Sequence, residues 1–309
     1  MGQTVKLFVT SAGNWFMMEI AQIFVEGIQS CGAIAELVID EIPTTKLDRD
    51  TSQIIVAPHE FYPLFLEKQL EPKAVLDITK SVYLLTVEQP GSQWFEISYK
   101  YSNYAKGVFD INQQGVREFR QRGIEAIHTP LGYSPCMEAD TLANNSKPVD
   151  LLFMGTHSLR REMLLSQNAD FFNRYNCRLI LTRLDKPRLA GTPGFYTHDD
   201  RNCLLASSKI VMNVHFSDNT YLEWHRVLIA IANRCLVVSE LSDAIEPLEN
   251  GKHLILTEID NIPEICQYYL DREDERLEIV ERAYQFMTQQ YSSGLLSQDL
   301  LGHLNGRGS

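Results

Sequence analysis

The chain alternates short apolar runs with longer segments whose apolar residues recur at helical spacing. Residues 4–11, TVKLFVTS, form a first run that breaks at Gly13 and Asn14. In the following segment Phe16, Ile20, Ile23, Phe24 and Ile28 lie three or four positions apart, and Gly32 supplies a stop. Further runs follow at 33–40, 53–58, 82–90, 106–112 and 124–133, with helix-like stretches at 59–70 and 113–123 between them. Continuous apolar runs separated by helical segments predict an open, mostly parallel sheet with helices on both faces.

Apolar periodicity lapses over residues 132–148, which hold two prolines and a polar cluster, so this stretch reads as a linker between domains. The pattern then restarts. Strands are expected at 149–156, 177–184, 209–216, 235–240 and 253–259, and helices at 159–175, 197–208, 221–233 and 262–291. The division is therefore a first α/β domain over 1–131, a linker over 132–148, and a second α/β domain over 149–305. The final helix is expected to pack back on the first domain. A length of 309 residues accommodates two domains of ordinary size.

Net charge is −12, which opposes a nucleic-acid polymer partner while leaving room for a single nucleotide held by a few arginines and a helix start. The six cysteines show no C-x-x-C spacing and read as buried free thiols. The opening residues read as a strand rather than a signal peptide. The longest apolar runs, about six residues, fall far short of the roughly 18 that a membrane span needs. The expectation is a cytoplasmic protein with no integral membrane span, and no role attaches to the closing Gly-Arg-Gly-Ser.

In open α/β sheets ligands bind beyond the carboxyl ends of the strands. In the second half, Gly155 and Thr156 end one strand, and Arg160 and Arg161 follow in the first turn of a helix. A backbone-accessible glycine, helix amides and an arginine together suit a diphosphate; a plain turn with solvated arginines is the alternative. Residues 183–196 carry Arg183, Lys186 and Arg188 in a loop rich in Gly and Pro. Thr197 and Asp200 have capping-box spacing, which accounts for "THDD" better than a metal site does.

Residues 213–226, NVHFSDNTYLEWHR, are the densest polar stretch between two apolar runs. Strand alternation puts Asn213 and His215 on one face. Asn219 or Thr220 is placed to cap the next helix, with Glu223 at capping-box distance from Thr220 and Arg226 one turn beyond it. Ser239 ends the next strand. In the first half, Gly13 and Asn14, His59 and Glu60, and Glu88 and Gln89 end three strands, which suits a general base or an acceptor-binding group. No dinucleotide fingerprint, Walker lysine motif or nucleophile elbow is present.

The segments VDLLFMGTHSLRR, KIVMNVHFSDNTYLEWHRVLIAIANRCLVVSE and LSDAIEPLENGKHLIL resemble the donor domain of GT-B-fold glycosyltransferases, in the bacterial group 1-like variety related to spore-coat and polysaccharide enzymes. VEQP, APHEF and HTPLGY look like the first-domain and linker segments of that variety. The resemblance implies two Rossmann-like domains facing a central cleft. It implies a nucleotide-sugar co-substrate, UDP- or GDP-linked, with no metal and no other cofactor. Gly155, Thr156 and Arg160 would meet the diphosphate, and Asn213, His215, Glu223, Arg226 and Ser239 would line the nucleotide and sugar. His59, Glu60 or Glu88 would deprotonate the acceptor hydroxyl in an inverting reaction, with Gly13, Asn14 and Gln89 beside the acceptor. That acceptor would be a small molecule, a lipid-linked sugar or a polymer, in polysaccharide or natural-product glycosylation. Members that retain configuration carry a second glutamate at the position of Ile229. This departure keeps open a non-catalytic nucleotide- or sugar-binding protein, and a nucleotide-sugar epimerase shares the fold.

Overall fold

The computed structural model describes residues 3–46, 48, 50–139, 146–183 and 195–306. The chain folds as two compact units, one formed by the residues up to 134 with those from 292 onward, the other by residues within 135–291. Lys186 and Arg188, and residues 140–145 of the expected linker, lie outside the described residues, as do 307–309.

The first unit is built on β1 (Thr4–Val9), β2 (Ile34–Ile39), β3 (Thr51–Val56), β4 (Tyr83–Thr86), β5 (Gly107–Asp110) and β6 (Ala126–His128). They form one sheet in the order β2-β1-β3-β4-β5-β6, with every pairing parallel. The carboxyl halves of the central strands, LFV in β1, IIV in β3 and LLT in β4, are buried throughout, as strands covered on both faces are. Phe8, Ile55 and Leu84 pack on one face with Phe61, Tyr62 and Tyr101. The terminal helix Ser293–Leu304 belongs to this unit and lies along the helix Trp15–Ser30.

The second unit holds β7 (Val149–Thr156), β8 (Cys177–Thr182), β9 (Ser208–Asn213), β10 (Leu236–Glu240) and β11 (Ile255–Thr257). The order is β11-β10-β9-β7-β8, again wholly parallel. Leu151 and Phe153, Ile210 and Met212, and Leu236 and Val238 share one face, where they meet Ile262, Cys266, Ile279 and Val280 from the closing helices. Burying each such side chain contributes about 1.5–3 kcal/mol, and together they fix the register that aligns the strand ends. Both sheets are the parallel α/β layers expected from the alternation.

Three local expectations are corrected. The helix expected from Tyr221 begins at Trp224, so Glu223 is its N-cap and not a partner in a capping box. The Thr220 hydroxyl instead donates to Asp243 at 2.5 Å. Thr197 does precede the helix His198–Ala206, but its side chain makes no capping hydrogen bond. Cys203 is exposed on that helix, whereas Cys235 and Cys266 are buried as expected.

Candidate functional site

In the second sheet the chain moves from β7 to β8 on one side and returns to β9 on the other, so β7 and β9 flank the topological switch point. Their carboxyl ends carry the second unit's polar cluster. The helix Leu159–Gln167 starts just past β7, its first turn fixed by the Ser158 hydroxyl, which accepts the Arg161 N–H at 3.3 Å. Arg160 and Arg161 then diverge. Arg161 is buried at 2% exposure. Its Nη1 donates to the Thr156 carbonyl at 2.9 Å, and Nε and Nη2 donate to the Val214 carbonyl at 2.9 and 2.6 Å. Nη2 also reaches Glu223 Oε1 at 2.7 Å. One guanidinium thus ties the ends of β7 and β9 together. A Cβ on Gly155 would sit 2.9 Å from Arg161 Nη1 and 3.0 Å from the Phe153 ring, so the glycine makes room for this arginine.

Arg160 points elsewhere. Its two Nη atoms grip the Glu240 carboxylate at the end of β10, and Nε donates to Asp218 at 3.0 Å. The Glu240 side chain is only 6% exposed, whereas Asp218 is 98% exposed. Glu240 also accepts the His215 N–H at 2.7 Å.

A single hydrogen-bonded chain joins the other residues expected here. Glu223 pairs with Arg226, Arg226 Nη1 donates to Asn213 Oδ1 at 2.8 Å, and Asn213 Nδ2 donates to Ser239 Oγ at 2.8 Å. His215 Nε2 lies 3.1 Å from the Leu241 carbonyl. A carbonyl only accepts, so Nε2 carries the proton there. β9 ends at Asn213, so His215 lies beyond the strand and reaches the cluster through Glu240 and Leu241 rather than by strand alternation.

Charge follows from this pairing. Burial pushes the Arg161 guanidinium down to about 10, with Glu223 working against the fall. Burial alone would raise the Glu223 carboxyl, but Arg226 and Arg161 outweigh it and hold the group below its usual value. The hydrogen bond to Glu240 raises Arg160. Ile229 is buried at 4% exposure in the core, and the second carboxylate bonded into this cluster is Glu240, contributed by a different element. The sequence offered a signal for it, since Glu240 ends a strand beside Ser239. Nothing in the sequence separated Arg161 from Arg160.

The first unit has the same switch-point geometry between β1 and β3. The turn after β1 meets Glu60 from the short helix Pro58–Phe61. Glu60 Oε2 accepts the Asn14 N–H at 2.9 Å, and Oε1 accepts from the Asn14 side chain. A Cβ on Gly13 would fall 2.2 Å from Glu60 Oε2, so only glycine admits this carboxylate. Ala57, which leads into the helix, sits at φ +53°, a conformation costly for a residue with a Cβ.

His59 is 3% exposed, with Nε2 3.2 Å from Glu88 Oε1 and 4.0 Å from Glu60 Oε1. Both carboxylates accept, so Nε2 carries a proton. Nδ1 is buried with no hydrogen-bond partner among the described residues. The Gln89 carbonyl accepts the Ser92 N–H at 3.2 Å and shapes the turn into the helix Gln93–Ser102. Asp110, missed in the sequence, ends β5 fully buried. It accepts from Thr86 Oγ1 at 2.6 Å and from the Asn112 N–H at 2.7 Å. Burial pushes its carboxyl up to about 8, against those two hydrogen bonds and with Glu88 adding to the rise. Burial likewise raises Glu60, opposed by His59 and Asn14.

Among the described residues no group of three His, Cys, Asp or Glu side chains could hold a metal ion, and no helix is long and apolar enough to cross a membrane.

Residues 169–301 match a family model described as glycosyl transferase-like. HepE of Anabaena, solved with UDP-glucose, superposes with a TM-score of 0.63 over 98% of this chain and 99% of its own, at 13% identity. The chain has the GT-B glycosyltransferase fold. AviGT4, a glycosyltransferase involved in avilamycin A biosynthesis, is similar at a TM-score of 0.58 and 13% identity, over 99% of this chain and 98% of its own. Sucrose-phosphate synthase from Thermosynechococcus elongatus gives 0.59 at 9% identity, with 99% and 98% covered. No curated protein matches in sequence. The resemblance drawn from the sequence is borne out at the level of the GT-B fold, with a glycosyl transferase-like match over residues 169–301. The family match takes in Asn213, His215, Glu223, Arg226, Ser239 and Glu240, while Gly155, Thr156, Arg160 and Arg161 precede it.

Proposed function

We propose that this GT-B protein transfers a sugar from a UDP-linked donor to an acceptor hydroxyl without a metal ion. The observation that carries the reading is the linked arginine–carboxylate network at the β7/β9 switch point of the second unit. The UDP-glucose bound to HepE favours uridine over guanosine as the base. Arg160, at the start of a helix, has three of its five N–H groups engaged by Glu240 and Asp218 and two left for a diphosphate. The amides of the Leu159–Gln167 first turn add to it. Arg161 and Glu223 hold Thr156 and Val214 in position, and Asn213, His215, Arg226 and Ser239 line the nucleotide and sugar.

In the first unit, Glu60 is occupied by Asn14, and the proton on His59 Nε2 faces a carboxylate. Glu88, with its side chain 21% exposed, is the carboxylate open to an acceptor. During transfer the acceptor oxygen bonds to the anomeric carbon and its proton passes to Glu88. The bond from that carbon to the phosphate oxygen breaks, and UDP leaves with the electron pair, its charge met by Arg160 and the helix amides. Six cysteines free of disulfides suit a reducing cytoplasm.

The test is a thermal-shift panel of UDP, GDP, TDP and CMP. UDP at about a hundred times its Kd should stabilise the protein by roughly 2.7 kcal/mol, and Arg160→Ala should abolish the shift. Absence of any nucleotide shift would sink the donor site. Nucleotide binding with no release of UDP from UDP-sugars, with or without EDTA, would instead support a non-catalytic binding protein, the reading that Ile229 favours.

A further inference from the structure

We infer that Trp94 is the platform of a saccharide subsite in the first unit, and that the acceptor is a neutral pyranose. The inference rests on the acceptor role proposed for this unit and names the class of its substrate. Trp94 is 46% exposed, while Trp224 is 5% exposed. Single exposed apolar side chains are ordinary, as Ile34 and Tyr104 are here, so what marks Trp94 is its neighbours rather than its exposure.

Its placement is built, not incidental. The helix Gln93–Ser102 is started by Ser92, whose hydroxyl accepts the Phe95 N–H at 3.1 Å. Phe95 is fully buried and pins the inner side of that helix. Trp94, one position earlier, stays at the surface, its ring centroid 6.2 Å from that of His59 at an interplanar angle of 50°. His59 in turn lies 3.2 Å from Glu88. The indole is thus coupled through a buried imidazole to the carboxylate assigned to the acceptor hydroxyl.

Ligand chemistry follows from the groups present. An aromatic face takes up an apolar C–H surface, and a carboxylate accepts from hydroxyls. A pyranose offers both, with axial hydrogens on one face and hydroxyls around the rim. Glu88 acts unfavourably on both Glu60 and Asp110, and as the partly exposed carboxylate here it disfavours a phosphorylated or uronic acceptor.

Saturation-transfer NMR with methyl glucoside, galactoside and mannoside, against glucose 6-phosphate and glucuronate, tests this. With UDP present, at least one neutral glycoside should receive saturation, strongest on the axial protons of one ring face, and the two anions should receive little. Trp94→Ala should remove the signal and raise the KM of the neutral acceptor roughly tenfold or more. Trp94→Phe should restore part of both. The UDP thermal shift should survive in each variant. The inference is overturned if no neutral glycoside binds the wild type, or if Trp94→Ala binds it unchanged. Sugar binding without UDP binding would sink the donor reading and leave this subsite standing; UDP binding without sugar binding would do the reverse.

Discussion

Replacing Arg161 by Met keeps much of the side-chain volume and removes every donor. The change strands the Thr156 and Val214 carbonyls and takes one of two arginines from Glu223. An unsatisfied buried acceptor costs about 1–3 kcal/mol, and removing one partner of a buried ion pair costs about 3–5 kcal/mol. These costs overlap, and Arg226 still grips Glu223, so roughly 3–5 kcal/mol in total is expected. For a unit of this size that is a fall in Tm of about 6–20 °C. Scanning calorimetry together with urea unfolding followed by the fluorescence of buried Trp224 measures it. Glu223→Gln and the double variant close a cycle, with a coupling of about 1–3 kcal/mol expected between the two sites. The Glu223 carboxyl is depressed in the fold, so its stabilisation is present above its unfolded pKa of about 4.3 and is lost as pH falls through the lower folded value. The wild type should therefore lose the coupling in acid. A cost under about 1 kcal/mol for Arg161→Met, or a coupling indistinguishable from zero at neutral pH, would refute the view that this guanidinium ties β7 to β9.

Three further outcomes are expected. Gly13→Ala should drive Glu60 off Asn14 at a cost of about 1–3 kcal/mol, and cut transfer at least tenfold with the UDP thermal shift intact; unchanged transfer would remove Gly13 and Asn14 from the acceptor site. Asp110, raised to about 8, favours its protonated form when folded, so wild-type stability should fall as pH rises from about 4 to 8. Asp110→Asn should flatten that slope in denaturant melts at pH 5 and 8.5, and parallel profiles would contradict it. Asp218→Ala frees Arg160 Nε and should tighten UDP severalfold by calorimetry, whereas Glu240→Gln should weaken it by loosening the arginine; equal effects of the two would show that Arg160 does not distinguish them.

The sheets were legible because parallel strands buried on both faces give short continuous apolar runs, as in residues 7–9 and 151–153. What the periodicity misplaced was the start of the helix after β9. Tyr221 and Leu222 fit the helical spacing, but Tyr221 forms a bridge with Asp243 and the Asp243 N–H bonds the Thr220 carbonyl. A tertiary contact holds the chain extended for three residues longer than local pattern implies. The same contact moves Glu223 from the expected capping-box position to the N-cap, where its side chain partners two arginines. Partners 62 and 80 residues apart, such as Arg161 with Glu223 and Arg160 with Glu240, leave no trace in spacing. Trp94 went unread for a different reason: an indole among polar residues looks like any early-helix position until its exposure is known.

The two units use one architecture with different charged groups. Each places its candidate site at the carboxyl ends of parallel strands, at the point where strand order reverses. In the second unit three arginines converge there, at 160, 161 and 226, held by two glutamates from separate elements. In the first unit Glu60 and Glu88 flank one histidine, and Glu88 also acts on the buried Asp110. A sugar transfer needs both: positive charge where a diphosphate leaves, and a proton acceptor where a hydroxyl attacks. A chain of net charge −12 cannot draw an anionic donor by its overall field. In the proposed reading recognition comes from short-range geometry, which favours carboxylate-locked arginines over a loose basic patch. The glutamates cost some positive potential and in return fix where the N–H groups point. That exchange suits a site whose ligand is bound by direction rather than by attraction at a distance.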